Sequence, residues 1–137
     1  MTAPDKADIS AQWDATLALC GDLLPYLAEL RLSVSATQVA TAMRLPNADA
    51  LRRLLLKRRL PPFRVLRDWY YLVRMLERAE RGEALGAWSM QRGDYADVYY
   101  RFVARLTGQR WGKLVQRGSA WAKAGAVAAW APYVDET

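Results

Sequence analysis

Histidine is absent from the chain, and cysteine occurs once, as Cys20. The first absence removes the commonest general base and the commonest metal ligand. The second excludes an intrachain disulfide and a cysteine-rich zinc site. No constellation of carboxylates or lysines takes their place, so neither an enzyme activity nor a metal or cofactor is expected. Long apolar runs are also missing: none approaches the roughly 20 residues needed to span a bilayer. The opening MTAPDKADIS carries acidic residues and lacks the apolar stretch of a secretory signal. A cytoplasmic protein with no membrane partner is therefore expected. Cys20 stands among Leu17, Leu19, Leu23 and Leu24, which predicts a buried core thiol.

What is present is globular composition. The 137 residues are 53% hydrophobic and 25% charged, enough for one ordinary domain or two very small ones sharing a linker. The net charge of +6 is unevenly spread. Residues 1–44 carry three basic and five acidic side chains, residues 45–117 sixteen and seven, and residues 118–137 one and two. The basic excess is thus confined to a central block. That is the footprint expected for a polyanion partner, although a solvated helical surface accounts for it equally well. Charge alone does not choose between DNA, RNA and an acidic protein.

Alanine, leucine and arginine dominate and few segments alternate with period two, which predicts an all-α chain. A first helical region is expected over about residues 10–31, kinked or divided by Gly21 and Pro25. Ser35 and Gln38 have capping-box spacing and open a short helix ending near Met43. Arg44, Leu45 and Pro46 form a turn, and Asn47 caps a helix running to about Leu60, with Leu51, Leu54 and Leu55 as its inner stripe. Pro61 and Pro62 stop it. A long helix is expected from Pro62 to Glu80, ended by Arg81 and Gly82. A short helix over residues 83–91, a turn at Arg92-Gly93, and a helix from about Tyr95 to Leu106 follow. Trp111–Gln116 forms a further short helix, and Ser119–Trp130 an alanine-rich last one, closed by Pro132.

The pattern of short helix, tight turn and basic helix occurs twice, in VATAMRLPNADALRRLL (residues 39–55) and GAWSMQRGDYADVYYRFV (residues 86–103). Ala40 and Met43 match Ala87 and Met90 at an offset of 47, whereas Leu51, Arg53 and Leu55 match Tyr99, Arg101 and Val103 at an offset of 48. The second turn is therefore ambiguous by one residue. A small residue such as Ala40 lets two helices cross closely at about 90–120°. The second helix of such a unit is anchored by its inner stripe, and its outer face fits a major groove about 12 Å wide.

The sequence resembles the DNA-binding domain of AraC/XylS regulators, in which two helix-turn-helix units are joined by a long linker helix. The resemblance covers about residues 33–117. It rests on the spacing of Ala40 to Leu51 and Leu55, on the stretch ALRRLLLKRRLPPFRVLRDWYYLVRMLE, and on Tyr99, Val103 and Gly108, which resemble the end of the family's second recognition helix. Arg44 and Leu60 stand where the family has glycines, and Trp111 where it usually has proline, marking a divergent relative. The implied organisation is an N-terminal helical extension (1–34), a first helix-turn-helix (35–61), a linker helix (62–82), a second helix-turn-helix (83–117), and a C-terminal helix and tail (118–137).

The resemblance implies base-reading positions at Asp49, Arg52 and Arg53 in the first unit, and at Ala96, Asp97, Tyr100 and Arg101 in the second. Asn47, Lys57 and Arg105 become phosphate contacts. These side chains equally suit plain solvated faces, and Asp49 or Asp97 could cap its own helix or accept from a cytosine amino group. The implied function is sequence-specific binding of double-stranded DNA by a monomeric, nucleoid-associated transcription regulator that reads two adjacent major-groove segments about 34 Å apart. RNA polymerase or a separate sensor protein is a further expected partner. The alternative is an interaction module binding a regulatory protein with little DNA affinity, for which Trp121 and Trp130 would supply a surface unless they seal the core. A stacking role for Trp69, Tyr70, Tyr71, Trp88 and Trp111 competes with their reading as core residues. The segment LKRRLPPFRV is also similar to the start of an excisionase-like wing, which would require strands near Phe63–Tyr71.

Overall fold

The computed structural model describes residues 5–29, 35–86 and 96–134, and among them the regular structure is all helical. Helix α1 (Lys6–Cys20) leads through a 3-10 turn (Gly21–Leu23) into α2 (Leu24–Glu29). Then come α3 (Ala36–Ala42), α4 (Ala48–Lys57) and α5 (Phe63–Glu80). The last three are α6 (Ala96–Thr107), α7 (Trp111–Arg117) and α8 (Ser119–Val134). The excisionase-like alternative falls here, because Phe63–Tyr71 are the first turns of α5 and not strands. Residues 87–91 of the short helix expected before α6, with Ala87, Trp88 and Met90, and the turn at Arg92-Gly93 lie outside the described residues. No helix among the described residues is long and apolar enough to cross a membrane.

The body of the molecule is built on α5. Phe63, Leu66, Tyr70, Tyr71, Leu72, Val73, Met75 and Leu76 are all buried, so α5 is wrapped over much of its circumference and is more than a spacer. Its broadest partner is α8, and α1 packs in turn on α8. Trp13 of α1 stacks between Tyr70, with ring centroids 6.1 Å apart, and Trp130, at 5.2 Å. The Trp130 indole N–H donates to the Val65 carbonyl at 3.3 Å, which satisfies the polar end of a ring that is otherwise fully packed. Trp130 is therefore a core residue and not part of a partner surface. Gly125 permits the closeness of α5 and α8: a Cβ there would stand 2.6 Å from the Trp69 ring.

The N-terminal residues do not simply pack on α3 and α4. The contacts run through the end of α1, the 3-10 turn and α2: Arg58 donates to the Cys20 carbonyl at 2.9 Å and pairs with Asp22 at 2.7 Å, and the Tyr26 hydroxyl donates to the Ala42 carbonyl at 3.3 Å. The division falls at Gly21, which adopts φ 51°. Pro25 causes no break because it stands in the first turn of α2, where its missing N–H has no helical acceptor to satisfy. Cys20 is fully buried. Burial pushes its thiol up from the ordinary 9.0 to about 11, against a smaller opposing effect of the Arg58 charge.

Two other ends differ from expectation. Helix α4 stops at Lys57 and not at Leu60. Leu60 turns back into the core, its N–H donating to the Leu55 carbonyl at 2.9 Å while the Arg59 N–H donates to Leu56 at 3.0 Å. This pairing is the Schellman closure, which needs a left-handed residue at the preceding position, and Arg59 takes it with φ 57°. The same closure ends α3: Leu45 donates to Ala40 at 2.8 Å and Arg44 to Thr41 at 3.0 Å, with Arg44 at φ 61°. Arg44 thus occupies a position that glycine favours, whereas after α4 that position belongs to Arg59 and not to Leu60. At the C-terminus, Pro132 does not end α8, which continues to Val134. Proline there stands exposed in the last turn.

Candidate nucleic-acid interface

Helices α3 and α4 are joined by the turn of residues 43–47 and lie against each other through buried Val39, Ala40, Leu51 and Leu55. Both starts are capped as the sequence predicts. The Gln38 N–H donates to Ser35 Oγ at 3.2 Å, and the Ser35 N–H donates to Gln38 Oε1 at 2.8 Å. Asn47 Oδ1 accepts from the Ala50 N–H at 2.9 Å. The cap uses the amide oxygen, and a phosphate would be met by the Asn47 amide nitrogen, which donates.

Fixing Leu51 and Leu55 inward determines what α4 shows to solvent. Arg52, 61% exposed, Arg53, 66% exposed, and Lys57 stand on the outside. Asp49 lies between the two arginines. Its Oδ1 accepts from Arg52 Nε at 2.9 Å and Nη2 at 2.8 Å, and its Oδ2 lies 2.9 Å from Arg53 Nη2. The hydrogen bond from Arg52, reinforced by both positive charges, holds the Asp49 carboxyl below the ordinary carboxylate range. Lys57 has no ion-pair partner among the described residues.

Helix α6 repeats this layout 48 residues on. Tyr99 and Val103 are buried where α4 buries Leu51 and Leu55. Arg101, 74% exposed, pairs with Asp97 at 3.0 Å, as Arg53 pairs with Asp49. Tyr100 is 43% exposed, Arg105 is exposed, and Ala96 is half-buried. The offset of 48 therefore describes the buried and exposed positions of both basic helices. No group of three or more His, Cys, Asp or Glu side chains that could hold a metal ion occurs among the described residues.

Some solvent-facing groups escaped the sequence reading. Leu56 is 59% exposed on the outer side of α4, and its signal was being apolar while off the Leu51/Leu55 stripe. Arg44, Arg64, Arg110 and Lys113 are exposed and carry no ion pair among the described residues. Arg58 is the opposite case. Its guanidinium pairs with Asp22 and donates to the Cys20 carbonyl at 2.9 Å, so it serves the fold. Tyr70 and Tyr71 are buried, and Trp69 and Trp111 are half-buried, which leaves little ring surface for stacking a base. No protein-family model, curated protein or solved structure matches the chain.

Proposed function

We propose that the chain is a DNA-binding transcription regulator whose α3–turn–α4 segment acts as a helix-turn-helix unit, with α4 entering the major groove and α6 serving as the corresponding helix of a second unit. The observation that carries this reading is the outward presentation of Arg52, Arg53 and Lys57 on a helix anchored from behind by Leu51 and Leu55. Arginine donates in a fork to O6 and N7 of guanine, a contact worth about 1–3 kcal/mol of discrimination. Lys57, Arg105 and the exposed Arg44 and Arg64 suit phosphates. Leu56 suits the methyl group of thymine. Asp97 and Arg101 give α6 the same outward chemistry.

The test is a gel-shift series on mixed genomic fragments at rising salt. A preferred fragment should emerge, with affinity falling steeply as salt increases. Replacing Arg52 and Arg53 together by alanine should relax that preference, and Lys57→Ala should weaken all fragments alike. If folded, monomeric protein retains no fragment at low salt, the helix-turn-helix scaffold is instead a protein-interaction module.

A further inference from the structure

A carboxylate facing a phosphate backbone opposes binding, yet Asp49 stands in the first turn of α4, on the outward side that carries Arg52 and Arg53. Its contacts with Arg52 are specific about which part of the guanidinium they use, while Arg53 is reached through Nη2. On Arg52 they take the Nε/Nη2 edge and leave the Nη1/Nη2 end of the plane open. That end is the fork that fits guanine O6 and N7. A free arginine must be ordered on binding at an entropic cost, and one already braced is spared much of it.

Resting on the DNA reading above, we propose that Asp49 is a positioning residue whose carboxylate holds Arg52 and Arg53 as a pre-set pair of forks for guanine-bearing major grooves and withholds both from phosphates. The same device recurs in α6. Arg101 donates from Nη2 to the Asp97 carboxylate at 3.0 Å and from Nε to the Asp97 carbonyl at 3.4 Å, so the same edge is engaged and the same end is open. The recurrence holds its place relative to the buried anchors while neighbouring outward residues change, Arg52 becoming Tyr100 and Leu56 becoming Ala104. Both carboxylates stand in the first turn of their helix, where the dipole favours negative charge, but exposed ion pairs add little to folding stability, so the shared feature is the pairing with arginine.

Two short duplexes serve as probes, one rich in adjacent guanines and one of A·T pairs only, each titrated across a salt series with wild type, Asp49→Asn and Arg52→Lys. Circular dichroism checks that each variant is folded. Wild type should prefer the guanine-rich duplex. Asp49→Asn should cut that preference on the order of tenfold, and should steepen the salt slope by about one to two as the released guanidiniums turn to phosphates. Arg52→Lys keeps the charge without the fork, and should lose preference with an unchanged slope. Equal wild-type affinity for both duplexes, or an unchanged ratio in Asp49→Asn, overturns the clamp alone. Folded wild type that binds neither duplex at low salt overturns the DNA reading and the clamp with it.

Discussion

Helices α4 and α5 are both rich in arginine, and they use it in opposite ways. On α4 the guanidiniums of Arg52 and Arg53 stand in solvent and share one carboxylate of their own helix. On α5 the arginines other than the exposed Arg64 are engaged by the fold. Arg67, only 12% exposed, pairs with Asp68 and lies 5.6 Å from the Phe63 ring centroid. Arg74 pairs with Glu77 and lies 5.0 Å from the Tyr70 centroid, and Arg78 pairs with Glu83. The basic excess of the central block is therefore two populations, one that closes the fold and one that is available to a partner. Charge density along a sequence does not separate them; exposure and pairing do.

The largest expected effect lies on α5. Arg67→Ala leaves Asp68 as a nearly buried carboxylate without its partner, and should cost about 3–5 kcal/mol in urea unfolding. Arg52→Ala on α4 should change stability by no more than about 0.5 kcal/mol. Equal losses for the two would erase the distinction between the helices.

The buried end of α1 is sensitive to alkali. The Cys20 thiol is raised to about 11 by burial. Folded and unfolded chains are both neutral at this group below pH 9, so its stabilising effect is complete there. As the pH rises from 9 towards 11, the unfolded chain gives up its proton first and roughly 2–3 kcal/mol of stability is lost. The difference in urea midpoint between pH 8 and pH 11 should accordingly be larger in wild type than in Cys20→Ala.

Two smaller changes sharpen the contrast further. Gly125→Ala drives a methyl group into the Trp69 ring of α5 and should destabilise by about 1–3 kcal/mol, visible as a lower Tm. Asn47→Ala removes the cap of α4 and should cost about 0.5–2 kcal/mol, fraying that helix in hydrogen exchange while α5 stays protected.

Local chemistry was legible in the sequence, and long-range placement was not. The Ser35 box, the Asn47 cap and the Leu51/Leu55 stripe follow from residue spacing within a turn or two, and the structure carries each of them. The lengths of α4 and α8 do not follow from their prolines, because proline is a weak guide to a terminus: Leu60 leaves its helix before Pro61, and Pro132 fits inside a last turn. The stacking of Trp13 between Tyr70 and Trp130 joins residues far apart in the chain. Nothing within a local window announces such a contact, so the terminal helices read as appendages when they belong to the body. In the candidate site, the outward arginines were legible from periodicity. Their joint hold on Asp49 was not, because spacing allows that pair of contacts without requiring it.

Arg58 gives the arrangement a mechanical character. It caps the far end of α4 and fastens it to the Cys20 carbonyl and to Asp22, across the bend that follows α1. A rod pinned at its tail cannot swivel freely to follow an irregular groove. Under the DNA reading proposed above, a duplex whose curvature does not suit it would do the yielding, and a sequence's pliability would weigh in the choice of target beside the bases that are touched.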